Sequence, residues 1–156
     1  MTKRAPILVS ACLAGLPCRY DGQAKPNPEI MALMAAGLAI PICPEQLGGL
    51  PTPRSAAEIV GGDGNDVLAG KARVISAVGD DVTEQFVRGA ETVAKLAQLC
   101  GARIAILQER SPSCGTSKVY DGSFSRQLRP GRGVAAAKLS ELGLEVRTPN
   151  AQHKKN

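Results

Sequence analysis

The 156-residue sequence contains no tryptophan and only two phenylalanines and two tyrosines. Its core must therefore be filled by Ala, Val, Ile and Leu, and aromatic platforms for stacking single-stranded nucleic acid are scarce. The one histidine, His153, lies in the C-terminal tail, so the sequence offers no histidine beside its cysteines to close a structural zinc site. No stretch approaches the roughly 20 apolar residues of a membrane helix. The apolar run before Cys12 is shorter than the roughly 7–15 residues of a signal h-region. No Walker pattern occurs, which argues against a nucleoside triphosphatase. These absences predict a cytoplasmic protein with no membrane partner, in a compartment that keeps thiols reduced.

What the chain does have is glycine, proline, cysteine and positive charge. Seventeen Gly and eleven Pro imply many tight loops, and five Cys in a reducing compartment point to metal binding or catalysis. The net charge of +5 suits an anionic partner such as a phosphate, a nucleotide or a nucleic acid, the last compatible with the charge but not favoured by the scarcity of aromatics. At this length, and 44% hydrophobic, one domain over residues 1–149 is expected, followed by a basic tail over 150–156.

The apolar run Pro6–Ala11 lacks alternation, as in a strand buried on both faces. Asn27-Pro28-Glu29 reads as an N-cap, an N1 proline and a first-turn acid, opening a helix that Gly37 stops. Leu38–Ile42 is a second core strand. The following stretch, Cys43-Pro44-Glu45-Gln46-Leu47-Gly48-Gly49-Leu50-Pro51-Thr52-Pro53-Arg54, predicts an irregular loop, since its glycines and prolines oppose both helix and ladder. Glu58–Val60 and Ala72–Val78 suggest a hairpin at a sheet edge around a Gly-Gly-Asp-Gly-Asn turn. Val82, Phe86, Ala90, Val93, Ala97 and Cys100 mark one face of a long helix closed by Gly101. Arg103–Leu107 is a third buried strand, Val134–Leu142 a last helix and Leu144–Val146 a last strand. Strands alternating with helices predict a single α/β three-layer domain with a mostly parallel sheet.

Ligands of such sheets bind beyond the carboxyl ends of the strands. Cys12, Cys43 and Cys114 all fall at or just beyond such an end, so parallel strands bring them to one edge. Cys100 shares the apolar helical face and reads as core. Cys18 is open to several readings, as a further ligand, a core residue or a supporting thiol. Thiolates select zinc, cuprous copper or iron–sulfur, and three protein ligands leave a reactive open position. Glu45, two residues past Cys43, is a candidate proton shuttle, with Ser111 beside Cys114. The hydroxyl-rich segment Ser111–Lys118 is a candidate anion nest. Arg19, Arg54, Ser113 and Lys118 are candidate contacts to a phosphate or a pyrimidine carbonyl.

Three segments together carry a family likeness. They are Ser10-Ala11-Cys12-Leu13-Ala14-Gly15-Leu16-Pro17-Cys18-Arg19-Tyr20-Asp21-Gly22, the Cys43–Arg54 stretch, and Ser111-Pro112-Ser113-Cys114-Gly115 with Tyr120-Asp121-Gly122-Ser123-Phe124. From Ile7 to about Val146 the sequence resembles the thiouracil desulfidases. The resemblance implies a Rossmann-like α/β domain holding a [4Fe–4S] cluster through three cysteines, matched here by Cys12, Cys43 and Cys114, with Cys18 as the rival ligand. The family's acid/base and assisting serine carry over to Glu45 and Ser111. The implied reaction is a non-redox desulfuration of thiouracil or a thiolated uridine nucleotide, in which an open iron polarises the thiocarbonyl and Glu45 activates water. The competing expectations are an iron–sulfur or zinc module that binds a nucleotide, and a sulfur-transfer enzyme acting on thiolated tRNA.

Overall fold

The computed structural model describes residues 4–150. In chain order the elements are β1 (Ile7–Ser10), a 3-10 turn (Ala11–Ala14), α1 (Pro28–Ala35), β2 (Ala39–Ile42), α2 (Pro44–Leu47), β3 (Ala57–Val60), α3 (Gly64–Leu68), β4 (Arg73–Ser76), α4 (Thr83–Cys100), β5 (Ile104–Ile106), β6 (Lys118–Tyr120), β7 (Leu128–Pro130), α5 (Val134–Glu141) and β8 (Glu145–Arg147). The main sheet runs β2-β1-β5-β8, and every neighbouring pair is parallel, with Ile7 opposite Ala39, Leu8 opposite Ala105 and Ile104 opposite Glu145.

Alternation within these short strands divides their side chains between two cores. Leu8, Ala105 and Leu107 pack with Val93 and Ala97 of α4 and with Ala136 and Leu139 of α5. Val9 and Ile106 face the other way, onto Leu13 and onto Ile30 of α1. Helices therefore cover both faces of the sheet, as the strand–helix alternation predicts. The chain steps to one side of β1 to form β2 and to the other to form β5. That reversal opens a crevice at the carboxyl end of β1.

Asn27 caps α1 as its spacing predicts: its Oδ1 accepts from the amides of Glu29 at 3.0 Å and Ile30 at 3.3 Å. Other expectations are corrected. β3 and β4 pair antiparallel but form their own two-stranded sheet rather than an edge of the main one. The turn between them contains α3, because Asp63 and Asp66 make a reciprocal capping box that nucleates a helical turn. α2 arises inside the stretch expected to be irregular. Pro44 occupies N1, where its missing N–H costs nothing, so proline starts this helix instead of blocking it. Between β5 and α5, where the sequence pattern marks no strand, Lys118–Tyr120 pairs antiparallel with Leu128–Pro130.

Among the described residues no helix is long and apolar enough to cross a membrane. Of the expected tail, the Asn150 amide donates to Glu29 Oε1 at 2.7 Å. Residues 151–156, including His153, lie outside the described residues.

Candidate active site

The crevice at the carboxyl end of β1 is a cavity of about 670 Å³. The thiols of Cys12, Cys18, Cys43 and Cys114 all line it, together with Glu45, Ser111 and Ser113. A second recess, about 390 Å³ between α3 and α5, is lined by Asn65, Arg132 and Ser140 and holds no thiol.

Each thiol arrives on a differently built support. Cys12 sits in the 3-10 turn that follows β1 directly, and Gly15 closes that turn with a left-handed φ of 93°. Cys43 is the residue before the first turn of α2, so the end of β2 and the start of a helix both fix its backbone. Cys114 belongs to a loop braced by α5. The first amides of that helix donate to loop carbonyls: Val134 to Pro112 at 2.8 Å, and Ala135 and Ala136 to Ser113 at 2.9 and 3.0 Å. Those carbonyls satisfy helix-end donors that no side chain caps.

The Cys18 thiol contacts both Cys12 and Cys43. The hydrogen bond with Cys12 is the largest cause pushing the Cys18 thiol up to about 11. The contact with Cys18, followed by burial, drives Cys43 far above the ordinary thiol range. Burial pushes Cys114 up to about 12, against opposing hydrogen bonds from Ser10 and Ser113. Thiols raised in this way stay protonated near neutral pH, so a metal that takes Cys43 or Cys114 as a thiolate releases a proton. Cys100 lies apart at the end of α4, half-buried against the core under the main sheet, its Sγ directed to the Ala97 carbonyl at 3.8 Å.

Glu45 extends from α2 toward the Cys114 loop. Its Oε1 accepts from Ser113 Oγ at 3.2 Å, and the same hydroxyl lies 3.7 Å from Cys114 Sγ. Ser111 Oγ is 3.0 Å from Ser113 Oγ and accepts the amides of Ser113 and Cys114, each at 3.1 Å. Ser111 thus shapes the turn, and Ser113 is the serine that touches the carboxylate. Arg54 pairs with the opposite oxygen of Glu45, donating from Nε at 2.7 Å and also from NH2.

Among the candidate substrate contacts, Arg19 lines the cavity and is loosely paired with Asp21 at 3.8 Å. Arg54 lines the wall, but its guanidinium is turned onto protein acceptors. Lys118 is exposed on β6 and does not line the cavity; its amide donates to Glu109 Oε1 at 3.1 Å. Several lining residues escaped the sequence reading. Ser10, buried at the end of β1, accepts the Gln108 amide at 2.9 Å and so ties β1 to the exit of β5. Glu109 accepts the amides of Thr116, Ser117 and Lys118 and the hydroxyls of Thr116 and Ser117. A lone acid before a Ser/Thr-rich loop was the available signal. Lys25, Arg110 and Arg126 add cations to the lining, beside Tyr20, Tyr120 and Phe124.

The chain matches known proteins along nearly their whole length. The chain is 45% identical over 144 residues to the uncharacterized protein YbbK of Bacillus subtilis (strain 168), covering 92% of this chain and 95% of that one. Its fold matches a solved structure of the [4Fe-4S]-dependent thiouracil desulfidase TudS with a TM-score of 0.82 at 42% identity, over 94% of this chain and 91% of the other. The model of the 2-thiouracil desulfurase family spans residues 7–151, so the chain belongs to the 2-thiouracil desulfurase family.

Proposed function

We propose that the protein is a [4Fe–4S]-dependent desulfidase that converts thiouracil, or a thiolated uridine nucleotide, to the oxo product plus sulfide. The observation that carries this reading is one cavity presenting several thiols together with the Glu45 carboxylate, which is hydrogen-bonded to Ser113 beside Cys114.

The donor set fits an iron–sulfur cluster. Among the described residues no three His, Cys, Asp or Glu side chains form a ready-made cage for a single metal ion. A cluster asks for something else, because each thiolate takes a different iron. Cys12, Cys43 and Cys114 come from the loops after three parallel strands and are the proposed ligands. Cys18 supports them from between Cys12 and Cys43. When bound through three cysteines, the cluster supplies an iron with an open position, an electron-pair acceptor for a thiocarbonyl sulfur.

The protein's own contribution is proton handling and orientation. Glu45 receives a proton from the attacking water as oxygen adds to the thiocarbonyl carbon. Ser113 holds Oε1 of that carboxylate in place, and Ser111 fixes the turn that carries Ser113 and Cys114. When the C–S bond breaks, Glu45 gives that proton to the departing sulfur, and the adduct's hydroxyl loses its own proton as the carbonyl forms. One water adds and one sulfide leaves, so carbon ends at the same oxidation level and no electron donor is needed.

The test is anaerobic reconstitution with iron and sulfide, followed by sulfide release from 4-thiouracil. Glu45→Ala is expected to retain the wild-type iron content and the brown colour while losing about 100-fold or more in turnover, typical of a removed general base. Stoichiometric zinc with no iron uptake, or loaded protein that binds the base without releasing sulfide, would refute the reading.

A further inference from the structure

We propose that Arg54 is a positioning residue for Glu45, not a contact to the substrate. The inference rests on the reading of Glu45 as the proton-handling group.

A guanidinium has five N–H donors and no acceptor. In Arg54 all five are engaged by protein: Nε and NH2 on Glu45 Oε2, NH2 also on the Cys18 carbonyl at 3.0 Å, and NH1 on the Pro51 carbonyl at 3.1 Å and Thr52 Oγ1 at 2.9 Å. None remains for an incoming phosphate or carbonyl oxygen. Thr52 Oγ1 also accepts from Gln46 Nε2 at 2.7 Å, so the acceptor is itself fixed.

The geometry is asymmetric in a useful way. Both donors directed at Glu45 fall on Oε2, which leaves Oε1 with Ser113 as its one hydrogen-bond partner among the described residues. The carboxylate is thereby rotated so that its less engaged oxygen points to the Cys114 side of the cavity. The side chains of Arg54 and Glu45 are only 7% and 12% exposed. In such a dry setting a carboxylate without its counter-ion would turn to find other donors, and its proton-accepting lone pair would leave its place. Arg54 also bridges two thiol-bearing loops, since its amide donates to the Tyr20 carbonyl at 2.8 Å and the Cys18 carbonyl it holds is 3.7 Å from Cys43 Sγ. That bridging offers a rival role, support of the thiol pocket alone, which the experiment must separate.

The experiment uses reconstituted protein carrying Arg54→Ala, Arg54→Lys and Glu45→Gln. If Arg54 positions Glu45, Arg54→Ala keeps its iron per chain. Its kcat for 4-thiouracil then falls about 100-fold, the cost of a misplaced group, while KM stays within about threefold. Arg54→Lys, which keeps the charge but loses the fork, recovers part of that kcat. A readout independent of turnover is the Tm of the metal-free protein. Arg54→Ala lowers it in the wild-type background and lowers it much less in the Glu45→Gln background, because the two groups are coupled. A raised KM with unchanged kcat makes Arg54 a substrate contact and overturns the proposal. Iron lost in proportion to activity, with normal turnover per iron, assigns it to the thiol pocket and also overturns it. If Arg54→Ala does not fold, Arg54→Lys carries the test with the same split between kcat and KM. Full turnover in Glu45→Gln would instead remove the reading of Glu45, and the Tm coupling would still report on the pair.

Discussion

At the scale of single residues the sharpest question is which thiols bind iron. Cys18 has a case, because its side chain touches both Cys12 and Cys43. Its surroundings argue for support. Its carbonyl already receives Arg54 NH2 and faces the Cys43 thiol, which pins the residue between two loops. Cys12, Cys43 and Cys114 each follow a separate strand of the parallel sheet, so their backbones are fixed from outside the cavity. Alanine at Cys12, Cys43 or Cys114 is therefore expected to abolish iron uptake, measured as iron per chain after anaerobic reconstitution. Cys18→Ala should remain brown at reduced thermal stability. Colourless Cys18→Ala beside brown Cys43→Ala would transfer the ligand role. The sequence already isolated Cys12, Cys43, Cys114 and Glu45, because a thiol or acid just past a buried strand has few structural excuses. It did not separate the roles of Ser111 and Ser113 or the orientation of Arg54. Those depend on rotamers and on partners up to 68 positions away in sequence, which no local pattern encodes.

At the scale of elements, legibility follows how local the cause is. α1 was readable because its cap Asn27, its N1 proline Pro28 and the left-handed Gly37 that ends it lie in one short stretch of chain. α2, α3 and the β6–β7 pair were not, since each is short and stabilised from outside itself. The loop between Glu109 and Lys118 is the clearest case. Burial alone would raise the Glu109 carboxyl, but the amides of Ser117 and Lys118 and the hydroxyls of Thr116 and Ser117 outweigh it and hold the group down at about 2. A carboxyl held below its ordinary value of 4.5 stabilises the fold above that value and loses the contribution as pH falls toward 2. Glu109→Gln should therefore be less stable than wild type at pH 7 in urea unfolding, and the gap should close between about pH 4.5 and pH 2. A gap that is constant with pH would mean that the carboxylate charge does not organise this loop.

At the scale of the whole molecule, α4 joins parts that are otherwise separate. Val93 and Ala97 belong to the core under the main sheet, while Phe86 and Ala90 pack with Ile59 and Val74 of the small hairpin. The parallel order and the convergence of three loops followed from strand–helix alternation. The seating of α2 on α4 did not, because it depends on two glycines 41 positions apart. A Cβ on Gly89 would lie 2.0 Å from the Pro44 carbonyl oxygen, and one on Gly48 would lie 2.0 Å from that of Gln85. Backbone therefore meets backbone where α2 crosses α4, and that contact sets the height of Cys43 and Glu45 above the sheet. Gly89→Ala puts two effects in opposition. Helix propensity favours alanine by about 1 kcal/mol. The collision forces the two helices apart, and overpacking of this kind costs about 1–3 kcal/mol or more. Because the blocking atom is a carbonyl of the facing helix and not a flexible side-chain end, the collision should win. Gly89→Ala is expected to lower the urea midpoint with the m-value unchanged, and to lower iron loading and turnover together as α2 rises. A variant that is more stable than wild type and fully active would show that α2 can shift without disturbing the site.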